Sequence, residues 1–325
     1  MGPPPLPSRH MSLTIPPPRH AWQVITAGIC ALVLTVGLAR FAYTPLLPVM
    51  RIDAGLTAAG GGWLATFNYL GYLAGTVLVA RVGDMRQKFR FYRIGLVLAA
   101  VSTGLMGATG DMTTWGVLRF VAGLSSTAGL LLASGLVLNW LLTHQRRPQL
   151  GLHFAGLGVG IAVSGLAAAA MADHLASSQQ WMALGCLALV FLIPAWAWMP
   201  APAAVSSATD ADAPAPPGRR WRLLLIASYF CAGVGFVVSA TFIVAILVQT
   251  PAFAGRGSWV WVLVGLTAIP STFAWDRLSN RLGLIRALML AYAVQMASFV
   301  LPLLDHGMWA GAASAMLFGL TFAGI

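Results

Sequence analysis

Ten long apolar stretches alternate with short polar connections, and nearly all the basic residues fall in every second connection. A bilayer core about 30 Å thick is crossed by about 20 apolar residues of helix. Candidate spans lie at 22–49, 60–80, 92–110, 113–141, 150–172, 180–199, 222–249, 258–275, 284–304 and 308–325. The pattern predicts an all-α polytopic membrane protein with the lipid bilayer as its solvent. The even-numbered connections and the N-terminal tail together carry Arg9, Arg19, Arg81, Arg86, Lys88, Arg90, Arg93, Arg146, Arg147, Arg219, Arg220, Arg222, Arg277, Arg281 and Arg286. The opposite face holds Arg51 and Arg256. Basic connections stay inside, so the first side is expected to be cytoplasmic and the N-terminus with it.

Composition agrees with this reading. With 58% hydrophobic and 8% charged residues, an ordinary soluble protein is excluded. The net charge of +11 is accounted for connection by connection. No basic stripe with interleaved aromatics suggests a nucleic-acid partner. Trp22, Trp63, Trp115, Trp140, Trp181, Trp221, Trp259 and Trp309 lie near span ends, as an interfacial aromatic belt requires. All eight acidic residues are Asp, and none falls in the apolar interior of a span. Cys30, Cys186 and Cys231 sit in separate spans and read as small apolar fillers. His10, His20, His144, His174 and His306 form no spaced ligand set, so neither a metal site nor a cofactor is expected. The first apolar run is too long for a signal peptide.

Residues 1–20 are proline-rich and are expected to form a disordered cytoplasmic tail. Residues 200–221, rich in Pro, Ala and Asp, read as a cytoplasmic linker. It separates a six-helix half, 21–199, from a four-helix half, 222–325. The halves look related. The turn after the second span reads Leu78-Val-Ala80-Arg81-Val-Gly83, and that after the eighth reads Leu278-Ser-Asn280-Arg281-Leu-Gly283. Leu, Arg and Gly thus recur 200 positions apart in equivalent connections, as parallel repeats of a transporter would.

These motifs resemble the major facilitator superfamily over essentially the whole chain from residue 22. The Arg81/Gly83 connection is similar to its Gly-x-Leu-Ala-Asp-Arg-x-Gly signature, and Arg119-Phe-Val-Ala-Gly123 to its Arg-x-x-x-Gly motif. Gly37-Leu-Ala-Arg40-Phe-Ala-Tyr43-Thr-Pro45-Leu-Leu-Pro48, with Gly156-Leu-Gly158-Val-Gly160, resembles the YbfB/YjiJ-like bacterial branch. The resemblance implies two bundles of twelve helices in all, rocking around a central cavity in a bacterial inner membrane. Ten helices are present, so helices 11 and 12 are expected to be missing from what would be a fragment or a shortened reading frame. The signature's Asp is Ala80 in one half and Asn280 in the other. Asp84 or Asp276 would have to substitute in a gate that also includes Arg81, Gly83, Arg277, Arg281 and Gly283.

Arg40 and Arg119 are the basic residues inside spans, and charge at bilayer depth is costly enough to mark function by default. Counting about 1.5 Å per residue from Pro48 and Thr113 puts both at similar depth. No acid within a span can neutralise them. Three partners remain open: carbonyls near a helix break, a carboxylate on the missing helices, or an anionic solute, which suits the planar Arg fork. Pro45 and Pro48 should loosen the end of the first span and free carbonyls near Tyr43 and Thr44. Asn68, Tyr69 and Tyr72, and Tyr229, Ser239 and Thr241, could add neutral hydrogen bonds, although each reads equally as interhelical glue. Arg119 and His153 are the candidate coupling residues, His153 because an ordinary histidine titrates near neutrality. Gly71/Gly75 and Gly156/Gly160 are spaced for close helix packing rather than phosphate binding. No enzyme motif is present.

The reading is therefore a secondary transporter of a small organic anion by alternating access, with protons as an optional driving partner and no obligate protein partner. The alternatives are an exporter of lipophilic drugs and a non-transporting remnant.

Overall fold

The computed structural model describes residues 20–146, 150–202 and 218–322. The expected tail up to residue 19 with Arg9 and Arg19, Arg147, linker residues 203–217 and positions 323–325 lie outside the described residues. The described chain folds into α1 Ala21–Asp53, α2 Ala58–Ala80, α3 Met85–Ala108, α4 Met112–Thr143, α5 Leu150–Met171, α6 Ser177–Trp198, α7 Arg219–Leu247, α8 Gly257–Leu282, α9 Leu284–Leu304 and α10 Met308–Phe322. The first nine are long and apolar enough to cross a membrane, and α10 is a shorter apolar helix.

The 200-residue offset recurs in the helix bounds, since α2 and α8 begin and end within two residues of that offset. One boundary needs correction. The eighth span was expected to end at 275, but α8 continues as helix through Asp276, Arg277 and Arg281 to Leu282 and closes on Gly283 at φ 84°. A helix of 26 residues is about 39 Å long at about 1.5 Å per residue. It is therefore longer than a bilayer's apolar core is thick, and its last two turns carry the polar Asp276, Arg277, Ser279, Asn280 and Arg281. Glycine accepts the left-handed conformation that stops it.

α1 is not a uniform helix. Val33–Phe41 is π-helical, Ala42 is a turn, and an α-helix resumes at Tyr43. Pro45 has no N–H to give the carbonyls four and five residues back, those of Phe41 and Arg40. The interruption therefore falls where the helix loses donors. Along the π stretch, Gly37 lies against the backbone of Gly160 in α5, which is the packing role expected of the Gly156–Gly160 pair.

The aromatic belt is only partly interfacial. Trp22, Trp63, Trp221, Trp259 and Trp309 are exposed, but Trp115 and Trp181 are buried. Trp115 donates its indole N–H to the Met106 carbonyl at 2.9 Å, and Trp181 reaches the Met50 sulfur at 3.4 Å. Proximity to a span end does not decide which way a ring faces on its helix.

Short connections are tied by N-caps. Thr57 caps α2, Asp84 caps α3 through the N–H groups of Arg86 and Gln87, and Asp111 caps α4 through the N–H of Thr114 at 2.7 Å. The Thr114 N–H, together with its hydroxyl at 2.8 Å, holds the Asp111 carboxyl below the usual carboxylate range. A depressed carboxyl stabilises the fold above its ordinary range, near pH 4, and loses that contribution as pH falls through the depressed value. Asp111→Ala is therefore expected to melt lower than the parent in detergent at pH 7. The gap should narrow in acid, at a pH below the ordinary carboxylate range, where both states are protonated. Equal gaps at both pH values would refute the cap's role.

Candidate functional site

The interruption in α1 and the seam between α2 and α4 bring two arginines together. Arg119, on α4, is 3% exposed. Its Nη1 donates to the Ala39 carbonyl at 2.9 Å and its Nη2 to the Arg40 carbonyl at 3.1 Å. Its guanidinium lies 4.5 Å from the centre of the Tyr43 ring. Of the three partners left open by the sequence, backbone carbonyls near a helix break are the ones observed. They belong to Ala39 and Arg40, about one turn before the Tyr43 and Thr44 carbonyls expected. Asn68 donates from Nδ2 to the carbonyl of Arg119 itself at 2.9 Å, locking that turn of α4 to α2.

Arg40 is arranged differently. It is 8% exposed, and its Nε, like that of Arg119, is buried without a hydrogen-bond partner. Among the described residues no carbonyl accepts from its Nη groups, in contrast to those of Arg119. The guanidinium lies over aromatic rings: 4.5 Å from the centre of Tyr72, 4.8 Å from Tyr69 and 5.2 Å from Phe41. Ring faces are electron-rich and attract a cation, an effect that strengthens when water is excluded. Arg40 borders a cavity of about 610 Å³. Thr66, Tyr69 and Tyr72 of α2 form one wall. Leu130 of α4 and Leu157 of α5 form another, and Gly233, Phe236 and Val237 of α7 with Phe322 of α10 close it.

Each expected solute-contacting residue can now be placed. Arg40, Tyr43, Thr44, Asn68, Arg119 and Thr241 line one small void at the junction of α1, α2, α4 and α7, and Tyr72 stands on the larger cavity beside Arg40. Several have protein partners already. Tyr43 donates its hydroxyl to Gly61 at 2.8 Å, and Thr44 donates to the Ala240 carbonyl of α7 at 2.5 Å. Thr44 thereby bridges the first and seventh helices at the end of the molecule opposite the basic connections. Arg40 and Tyr72 are the expected residues that face the large cavity.

The expected coupling and gate residues lie elsewhere. His153 is fully buried on α5, its ring against the backbone position of Gly28 and edge-on to Phe154, with neither nitrogen hydrogen-bonded. It is thus interior although it stands in the first turn of α5. Arg81 ends α2, Gly83 lies in the connection and Asp84 spends its carboxylate on the α3 cap. Asp276 borders a separate cavity of about 900 Å³ at the basic end, between α5, α7, α8 and α9. Arg277 and Arg281 continue α8, and Gly283 closes it.

Phe236 and Phe322 were missed, because an aromatic residue inside an apolar span carries no mark of the side it faces. Tyr69 and Tyr72, one turn apart and flanking a candidate cation, were the available signal.

A bundle of apolar helices holding two buried arginines, one of them beside a mostly apolar cavity, is an arrangement that suits a membrane carrier for small solutes. Residues 32–325 match the family described as "Uncharacterised MFS-type transporter YbfB", and the chain belongs to that family. No protein of curated function matches the sequence. Among solved structures, the D-xylose-proton symporter is similar at 13% identity, over 93% of this chain and 80% of that one, with a TM-score of 0.64. The nucleoside transporter NupG is similar at 12% identity, over 94% and 79%, with a TM-score of 0.60. A bacterial homolog of the human lysosomal transporter Spinster is similar at 14% identity, over 94% and 74%, with a TM-score of 0.57. At such identities the likeness concerns the fold.

Proposed function

We propose that the protein is a secondary transporter that moves a small organic anion by alternating access, with Arg40 as the group that meets the anion. The observation carrying this reading is that Arg40 is more than nine-tenths buried, borders the cavity, and has a buried Nε without a partner. None of the described residues lining the cavity is acidic, which supports a solute anion as the partner of the cation there. Arg119 takes a different part. Its two hydrogen bonds go to carbonyls, which do not titrate, so we assign it to holding α1 rather than to carrying protons. His153 lines neither the small void nor the Arg40 cavity, and the proposal leaves the driving ion open.

In this reading residues 21–199 and 222–325 are the two moving halves, supported by the correspondence of α2 and α8. The bond from Thr44 to Ala240 closes the end opposite the basic connections. The basic connections face the cytoplasm of a bacterial cell, with the N-terminus. Uptake of radiolabelled organic acids by cells expressing the full-length protein is expected to fall at least about tenfold in Arg40→Ala. A buried charge pair loses more than 1.4 kcal/mol when one partner is removed. Anion uptake unchanged in that variant would sink the proposal. The apolar cavity walls favour a second reading, export of lipophiles; it predicts that neutral and cationic compounds are moved and that Arg40→Ala is harmless.

A further inference from the structure

We infer that the Arg40 cavity selects a monoanion with a flat apolar body, a hydrophobic or aromatic monocarboxylate, over polyanions, sugars and nucleosides. This rests on the reading of Arg40 as the anion-binding group and names the substrate class of that site. Three observations carry it.

The first is the number and exposure of the charges. Among the described residues lining the cavity, Arg40 is the only charged one. Its guanidinium carbon lies 4.5 to 5.2 Å from the centres of the Tyr72, Tyr69 and Phe41 rings, which offer it no hydrogen-bond acceptor on those sides. The Nε is buried without a partner, and with the two Nη groups it makes up the planar edge of donors that a guanidinium carries. A planar rim of this kind fits one carboxylate in bidentate fashion. A second carboxylate on the same solute would be buried against hydrocarbon with no cation to meet it.

The second is the poverty of other polar groups. Beyond Arg40, the lining offers Thr66, Tyr69 and Tyr72, and the Thr66 hydroxyl already donates to Gly62 at 2.9 Å. A sugar or nucleoside would bring several hydroxyls into a wall unable to pair them, and each unpaired buried group opposes binding.

The third is the opposite wall. Phe322 sits edge-on to Phe41 at 5.2 Å and tilted to Phe236 at 4.9 Å, and Leu130 and Leu157 complete an apolar surface. Phe41 belongs both to this cluster and to the cover of Arg40. A ring or branched chain attached to the carboxylate would therefore enter among aromatic edges, an arrangement aromatic groups favour. The volume of about 610 Å³ lies in the range of small-molecule sites.

The test is equilibrium binding to the purified full chain in detergent at neutral pH. The probes are radiolabelled phenylacetate, phenylacetamide, succinate and uridine. Phenylacetate is expected to bind at least tenfold more tightly than each of the others. Two variants separate the parts of the site. Arg40→Ala removes the cation and should cost phenylacetate at least tenfold in affinity. Gly233→Trp fills the cavity at a position where an added Cβ meets nothing within 4 Å, so packing should survive while phenylacetate binding is lost. If succinate binds as tightly as phenylacetate and still depends on Arg40, the monoanion class is overturned and the anion reading stands. Equal binding of phenylacetate and phenylacetamide in the parent protein overturns both, and needs no variant to fold. Absence of phenylacetate binding at millimolar concentration also overturns the inference.

Discussion

Gly123→Ala is expected to destabilise the protein by more than about 3 kcal/mol, and Gly123→Val to leave no monodisperse folded product in detergent. Adding a methyl group to a helical glycine normally helps by up to about 1 kcal/mol, because alanine is the better helix former. Position 123 reverses the sign. A Cβ there would overlap the Asn68 carbonyl of α2, and one at Gly71 would overlap the Phe120 carbonyl of α4. The obstruction is reciprocal and made of backbone, so no rotamer change can relieve it. Overpacking that side chains can absorb costs about 1–3 kcal/mol; here whole helices must separate. Separation would also break the bond from Asn68 to the Arg119 carbonyl at 2.9 Å. Gly135, on the same helix, is the control, since an added Cβ meets nothing within 4 Å. Gly135→Ala should be neutral or stabilising. Melting both alanine variants by fluorescence-detected size exclusion decides the matter. A Gly123→Ala curve that superimposes on that of Gly135→Ala would mean the seam is looser than described.

The scaffold was readable because hydrocarbon imposes strong rules. Runs of about 20 apolar residues become helices whatever their detailed order, so the ten spans match the ten helices, with ends moved by a few residues. The ends moved furthest where charge begins. Arg86, Lys88, Arg90 and Arg93 were read as connection but lie in α3, and Asp276 to Arg281 lie in α8. A polar residue ends the apolar core without ending the helix. Arg40 and Arg119 were also readable, since a charge in a span stands out in any sequence. Their partners were not. That Arg119 reaches carbonyls some 80 positions earlier depends on the π-helical stretch of α1, which no periodicity in Val33–Phe41 announces. Equal chemistry in the sequence thus conceals different circumstances: one guanidinium is anchored to backbone through both Nη groups, the other is held over rings beside an open volume.

That difference gives the second large effect. Arg119→Met is expected to lower stability by about 3–5 kcal/mol, through the loss of two charge-assisted hydrogen bonds to buried carbonyls. Arg40→Met is expected to change stability little while removing anion binding. In Arg119→Met the carbonyls of Ala39 and Arg40 lose donors 2.9 and 3.1 Å away, in a region where water does not replace them. Charge-assisted hydrogen bonds of this type contribute about 1.5–3 kcal/mol each. Arg119→Lys should not rescue, because an ammonium is a point charge and the two carbonyls need a fork. The origin of the requirement can be probed as well. Pro45 withholds the N–H that would otherwise reach back to Phe41 or Arg40, so Pro45→Ala returns a donor to the broken turn. In a double-mutant cycle, Arg119→Met should therefore cost less by about 1 kcal/mol or more in the Pro45→Ala background. Thermal melts of the four proteins measure the coupling. Strict additivity would show that Arg119 acts on something other than the interruption in α1. A binding defect in Arg119→Met as large as that of Arg40→Met, with stability unchanged, would move Arg119 from the frame of the site into the site itself.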